Sequence, residues 1–114
     1  MGLLEKLRST LNQWFAKRWP QLSLEQSGFR SGDTLTKWSD VSQIAAFKRD
    51  MLTIDDVWFQ LETKSGRVLV CEEQPGFAEW ESTLIALFPA AADWRQHVIQ
   101  PPFARNFTVL FQRT

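Results

Sequence analysis

The sequence predicts an α+β domain: an antiparallel β-sheet of four to six strands with one or two helices packed on it. Three observations lead there. Two β-rich runs, Val57–Glu62 and Arg67–Glu72, flank the turn Thr63-Lys64-Ser65-Gly66. Apolar residues at helical spacing run from Phe77 to Phe88 and stop at Pro89. The composition is that of a globular chain: of 114 residues, 44% are hydrophobic and 23% charged, and 13 Lys and Arg balance 13 Asp and Glu. These values exclude a disordered, collagenous or low-complexity chain and a strongly basic nucleic-acid binder. The length suits one domain, residues 1–114.

Taken in order, residues 3–19 read as an amphipathic helix. Leu3, Leu7, Leu11, Trp14 or Phe15, and Arg18 follow helical steps, Leu4 widens the stripe, and Pro20 closes it. Four cations there, Lys6, Arg8, Lys17 and Arg18, stand against the single anion Glu5. The chain is neutral overall, so the remainder carries an equal negative excess. This helix, residues 1–20, either packs on the sheet or is an appendage to a body spanning residues 27–114. Between residues 20 and 40, Ser27-Gly28 and Ser31-Gly32-Asp33 are turn chemistry, with short strands around Phe29 and from Leu35 to Trp38. Val41–Arg49 fits two states. Asp40 with Gln43 could cap a helix; we read a strand ending at Lys48-Arg49, because strand-like sequence follows it.

The hairpin is the most specific local expectation. Its loop contains Gly66, and it places Glu62 opposite Arg67, Leu61 opposite Val68 and Phe59 opposite Val70. That register sets four apolar residues on one face, and a slip by one residue would mix the faces. Phe77, Trp80, Leu84, Leu87 and Phe88 define the next helix. Residues 90–99 form a short helix or an irregular stretch, Pro101-Pro102 force extended backbone, and Phe107–Phe111 reads as a terminal strand.

Chemical motifs are sparse. The single Cys71 forms no intramolecular disulfide, so nothing argues for an oxidising compartment. No apolar run approaches a membrane span, Glu5, Lys6 and Arg8 interrupt any secretory leader, and Lys6 stands where a myristoylation signal wants Ser or Thr. The expectation is a cytoplasmic protein. The only histidine, His97, has Asp93 one helical turn before it, which suits an ion pair or cap better than catalysis. No glycine-rich phosphate loop, metal-ligand spacing or nucleophile–base pairing is present, so no cofactor is expected. Asp50, Asp55 and Asp56 bracket one turn, and Glu72 and Glu73 leave the hairpin. If both groups share a sheet end, they make an acidic patch able to do acid–base work or hold a hard cation; turn capping and solubility are the plainer reading.

Aromatic usage stands out, with 6 Trp, 9 Phe and no Tyr. Most should fill the core, while some Trp would serve a contact surface. Pro101-Pro102 also pre-order a loop that presents Phe103 and Arg105, or else simply feed the last strand.

Trp38-Ser39-Asp40-Val41, Lys48-Arg49-Asp50, Thr53 with Asp55, Glu72-Glu73, Gly76-Phe77, Phe88-Pro89, Trp94, and Pro102-Phe103-Ala104 with Asn106 together resemble a pattern in small bacterial single-domain proteins. The resemblance spans residues 38–111, leaves out the N-terminal helix, implies a bacterial cytosolic domain and carries over no activity.

The functional expectation is therefore a non-enzymatic protein-binding module of immunity or adaptor type, contacting another protein or a second copy of itself. Its contact residues are read as Trp38, Trp58, Phe103, Arg105, Asp50, Asp55, Glu72 and Glu73. The alternatives are a small ligand-binding protein or hydrolase using Glu72, Glu73, Asp50 and His97 around a pocket, and peripheral membrane association through residues 3–19. Nucleic acid is not an expected partner.

Overall fold

The computed structural model describes residues 19–50, 55–98 and 107–113; for Arg49, Asp50 and Asp55 it describes the backbone alone. The helix expected over residues 3–19 falls outside the described residues apart from Trp19, as does the loop carrying Phe103 and Arg105. The described chain is α+β and antiparallel throughout, as expected, with its strands divided between two sheets. Strands β1 (Leu22–Leu24), β2 (Gly28–Ser31) and β3 (Thr34–Lys37) form the small sheet in that order. A 3-10 turn at Trp38–Asp40 leads into β4 (Val41–Asp50), followed by β5 (Asp55–Thr63) and β6 (Gly66–Cys71). Helix α1 (Phe77–Leu87), a 3-10 turn at Pro89–Ala91 and helix α2 (Trp94–Val98) come next, and β7 (Phe107–Gln112) ends the described chain. The large sheet has the order β6-β5-β4-β7.

The ambiguous Val41–Arg49 stretch is a strand because β5 and β7 pair along its two sides. The β5–β6 register is the one the turn demands: Glu62 opposite Arg67, Leu61 opposite Val68, Phe59 opposite Val70. Its turn is closed locally, Thr63 Oγ1 donating to the Gly66 carbonyl at 2.7 Å and accepting from the Ser65 N–H at 3.2 Å.

Period-two alternation gives the large sheet two faces. Its inner face carries Ile44, Ala46, Val57, Phe59, Leu61 and Val70, all in the main core. Helix α1 lays Trp80 and Leu84 on that face, both without exposed surface, while Leu87 departs from the expected stripe and is half exposed. Phe59 meets Trp80 and Trp94 edge-on at 5.4 and 5.0 Å between ring centroids. The small sheet closes the core from the other side through Phe29, whose ring lies 5.6 Å from Trp80.

A short seam ties the small sheet to the end of β6. The side-chain carbonyl of Gln74 accepts from the Cys71 N–H at 2.8 Å, and its amide donates to the Pro20 carbonyl and Ser31 Oγ, both at 3.0 Å. Beside it, the Leu22 N–H donates to the Pro75 carbonyl at 2.9 Å. Gly76 follows at φ 87°, where a Cβ would sit 2.3 Å from the Leu22 carbonyl oxygen, so only glycine suits this crossing.

Candidate functional site

The outer face of the large sheet, opposite the core, is built from the alternate residues of the same strands. Registers align these residues into rows running across all four strands. One row reads Cys71, Trp58, Phe47, Phe107 from β6 to β7, and the next reads Leu69, Gln60, Ala45, Val109. Seven of these eight residues are apolar. Phe107, Val109 and Leu69 are 55%, 46% and 46% exposed. Phe47 and Trp58 are half-buried, and the Phe47 and Phe107 rings stack at 6.2 Å.

Polar rows bound this band. On one side lie Arg67, Glu62 and Gln43, with Arg67 Nε donating to Glu62 Oε1 at 2.9 Å. On the other side lies the sheet end that the sequence marked as acidic. Antiparallel pairing does bring its members together: Asp50 sits opposite Asp55, Arg49 opposite Asp56, and the chain leaves β6 through Glu72 and Glu73 beside Val57. Asp56 is 3% exposed, and Lys48 on the inner face is equally buried. Glu72 Oε1 accepts from the Val57 N–H at 3.2 Å. Burial raises the Glu72 pKa above the usual carboxylate range. Glu73 and Asp56 add to that rise, while the Val57 N–H and the Arg95 guanidinium oppose it. Burial likewise pushes the Cys71 thiol up to about 11, with the charges of Asp56, Glu73 and Glu72 reinforcing it.

Two positions of the band are fully buried. Ala45 and Cys71 have no exposed surface, yet neither belongs to the core cluster beneath the sheet. Trp19 reaches this face from outside the sheet, its ring meeting Trp58 edge-on at 5.5 Å.

Of the contact residues read from the sequence, Trp58 lies within the band and Glu72 and Glu73 follow β6 at its acidic end, whereas Asp50 and Asp55 pair at the same sheet end in the register of the inner face. Trp38 is not a surface residue: it is 9% exposed, and its ring packs 4.8 Å from Phe29, 6.2 Å from Trp80 and 6.0 Å from Phe88. Phe103 and Arg105 fall outside the described residues. His97 is exposed on α2, two residues and hence about 200° round the helix from Arg95, the residue whose charge acts on Glu72. Among the described residues no group of three His, Cys, Asp or Glu side chains is placed to hold a metal ion, and no helix is long and apolar enough to cross a membrane.

Sequence reading missed the band itself. Leu69, Ala45 and Val109 come from three separate strands and become neighbours only once the strand order is known. Arg95 was also missed; with Trp94 Nε1 it donates to Glu81 Oε2, at 3.1 and 2.8 Å, which fixes α2 on α1. No family model, curated protein or solved structure matches the chain.

Proposed function

We propose that the chain is a non-enzymatic protein-binding module, of immunity or adaptor type, and that it docks an amphipathic helical segment on the outer face of its large sheet. The supporting observation is the two-row apolar band, in which Leu69, Phe107 and Val109 stay about half exposed on a face bordered by charged rows. Contiguous apolar surface rimmed by polar groups is the usual mark of an interaction site on a small domain. The acidic border selects for basic residues flanking the partner's apolar stripe. The acid–base alternative has less support, because Glu72 is engaged by backbone and His97 lies on another side of α2 from Arg95.

Site-specific photocrosslinking in bacterial cells tests this reading. A photoreactive residue replacing Leu69 or Val109 is expected to yield one discrete adduct with another protein, and the same residue at Leu24 or Leu35, exposed on the small sheet, none. Equal adducts at all four positions, or adducts confined to the chain itself, would overturn it.

A further inference from the structure

The chain's own sequence contains a segment whose chemistry matches this band. We infer that residues 3–18 of this chain dock across the outer face as an amphipathic helix, apolar stripe down, so that an external partner must displace them. The inference rests on the reading of this face as a docking surface and names what covers it in the absence of a partner.

Four observations converge. Trp19, the residue directly after the segment, already lies against Trp58 in the band, so the segment starts from the site it would cover. Ala45, in the middle of the band, is fully buried although Leu69 and Val109 of the same row are 46% exposed. The dimensions agree: sixteen helical residues span about 24 Å, and four strands with their side chains span roughly 20 Å. Leu3, Leu7, Leu11 and Trp14 repeat along one side of that helix, and the band offers Leu69, Trp58, Phe47, Phe107 and Val109 to receive them.

Charge places the helix as well. Lys17 and Arg18 immediately precede Trp19 in sequence, and a helix docked this way would carry them toward the sheet end that holds Glu72 and Glu73. Docked in this way, the segment's net positive charge complements the Glu72–Glu73 sheet end, and Lys6 and Arg8 flank the stripe further along. A second copy of the chain could present the same helix, but the tether at Trp19 gives the intramolecular helix an effective concentration in about the millimolar range.

The test uses the full chain with Cys71→Ser, so that added thiols are the only ones. Leu7→Cys or Leu11→Cys is combined with Leu69→Cys or Val109→Cys, and Ser9→Cys, on the opposite side of the helix, is the control. Under mild oxidation of dilute protein, at least one Leu-stripe pair is expected to close an intramolecular disulfide about tenfold faster than its Ser9 counterpart, since the two share one tether and only the stripe thiol can meet the band in disulfide geometry. No difference between stripe and control, or disulfides formed only between chains, would overturn the inference.

Should the Cys71→Ser chain fail to fold, the native thiol serves instead. Leu7→Glu with Leu11→Glu is then expected to speed modification of Cys71 by a thiol reagent about tenfold while the body stays folded, and an unchanged rate would overturn the inference. The two proposals fail separately. Failed disulfides with another protein still captured at Leu69 and Val109 would remove the resident helix alone. Rapid disulfides with adducts confined to the chain itself would remove the external partner alone.

Discussion

Glu72 and Trp38 show how burial alters the role a side chain would have on the surface. Glu72 sits where burial and two acidic neighbours disfavour its charge, so its pKa in the folded state exceeds the unfolded value of 4.5. Between those two values the folded state holds the proton more tightly, and stability falls as pH rises through that window. Glu72→Gln keeps an oxygen acceptor for the Val57 N–H and removes the charge. It is expected to raise the melting temperature at pH 7 and to have little effect below pH 4.5, the unfolded value; thermal melts across that range check this, and equal effects at both ends would contradict it. Trp38 was expected at a contact surface because tryptophan is enriched there. Its place in a 3-10 turn between β3 and β4 instead points the ring into the core beside Phe29, Trp80 and Phe88. Trp38→Ala should therefore cost about 3–5 kcal/mol of folding stability, as for other buried aromatic truncations. Denaturant titration measures it, and a loss below about 1 kcal/mol would return Trp38 to the surface reading.

At the scale of elements, legibility followed how many local signals agreed. The β5–β6 hairpin combines alternation with a Gly66 turn, and α1 combines helical spacing with Pro89, so both could be read directly. Strands β1, β2 and β3 are three or four residues long, with at most two buried positions each. Such segments carry too few residues for a period to show, and for that reason neither β1 nor the division into two sheets was read. The seam between the sheets was also hidden, since a single glutamine gives no sequence signal. Gln74 nevertheless satisfies groups from three places in the chain, and Gln74→Ala would leave the Cys71 N–H buried without an acceptor. The expected cost is about 1–3 kcal/mol. Gly76→Ala adds positive-φ strain of about 1–3 kcal/mol to its clash with Leu22. Native-state hydrogen exchange provides the check: in both variants the amides of Leu22 and Gly32, which are held by backbone bonds to Pro75 and Gln21, should lose protection before those of β5. Uniform loss over both sheets would mean that the seam is not a separate unit.

For the molecule as a whole, the two faces of one sheet divide the work. The inner face supplies the core, and its content was largely legible because burial repeats with the strand period. The outer face depends on strand order, which is not encoded locally, so Leu69, Ala45 and Val109 could not be grouped beforehand. The acidic end is the intermediate case: two clusters far apart in sequence would form a patch if they shared a sheet end, and the pairing of β5 with β6 puts Asp56 and Glu72 at one end. If the outer face is for binding, Leu69→Lys with Val109→Lys should change folding stability by less than about 1 kcal/mol, as exposed sites do, while abolishing the heterologous adduct at a photoreactive Phe107 position. Loss of folding in this double variant would instead assign the band a structural role.

The crowding of indoles around Trp80 also has an optical consequence. The chain has no tyrosine, so its near-ultraviolet spectrum comes almost entirely from tryptophan. Trp38 and Trp80 lie 6.2 Å apart at a tilt of 37°, close enough for their transitions to couple as one chiral pair. Trp38 belongs to the turn after the small sheet and Trp80 to α1 beneath the large one. Their joint circular dichroism band is thus an intrinsic signal of whether the two halves are seated together, and it needs no added label.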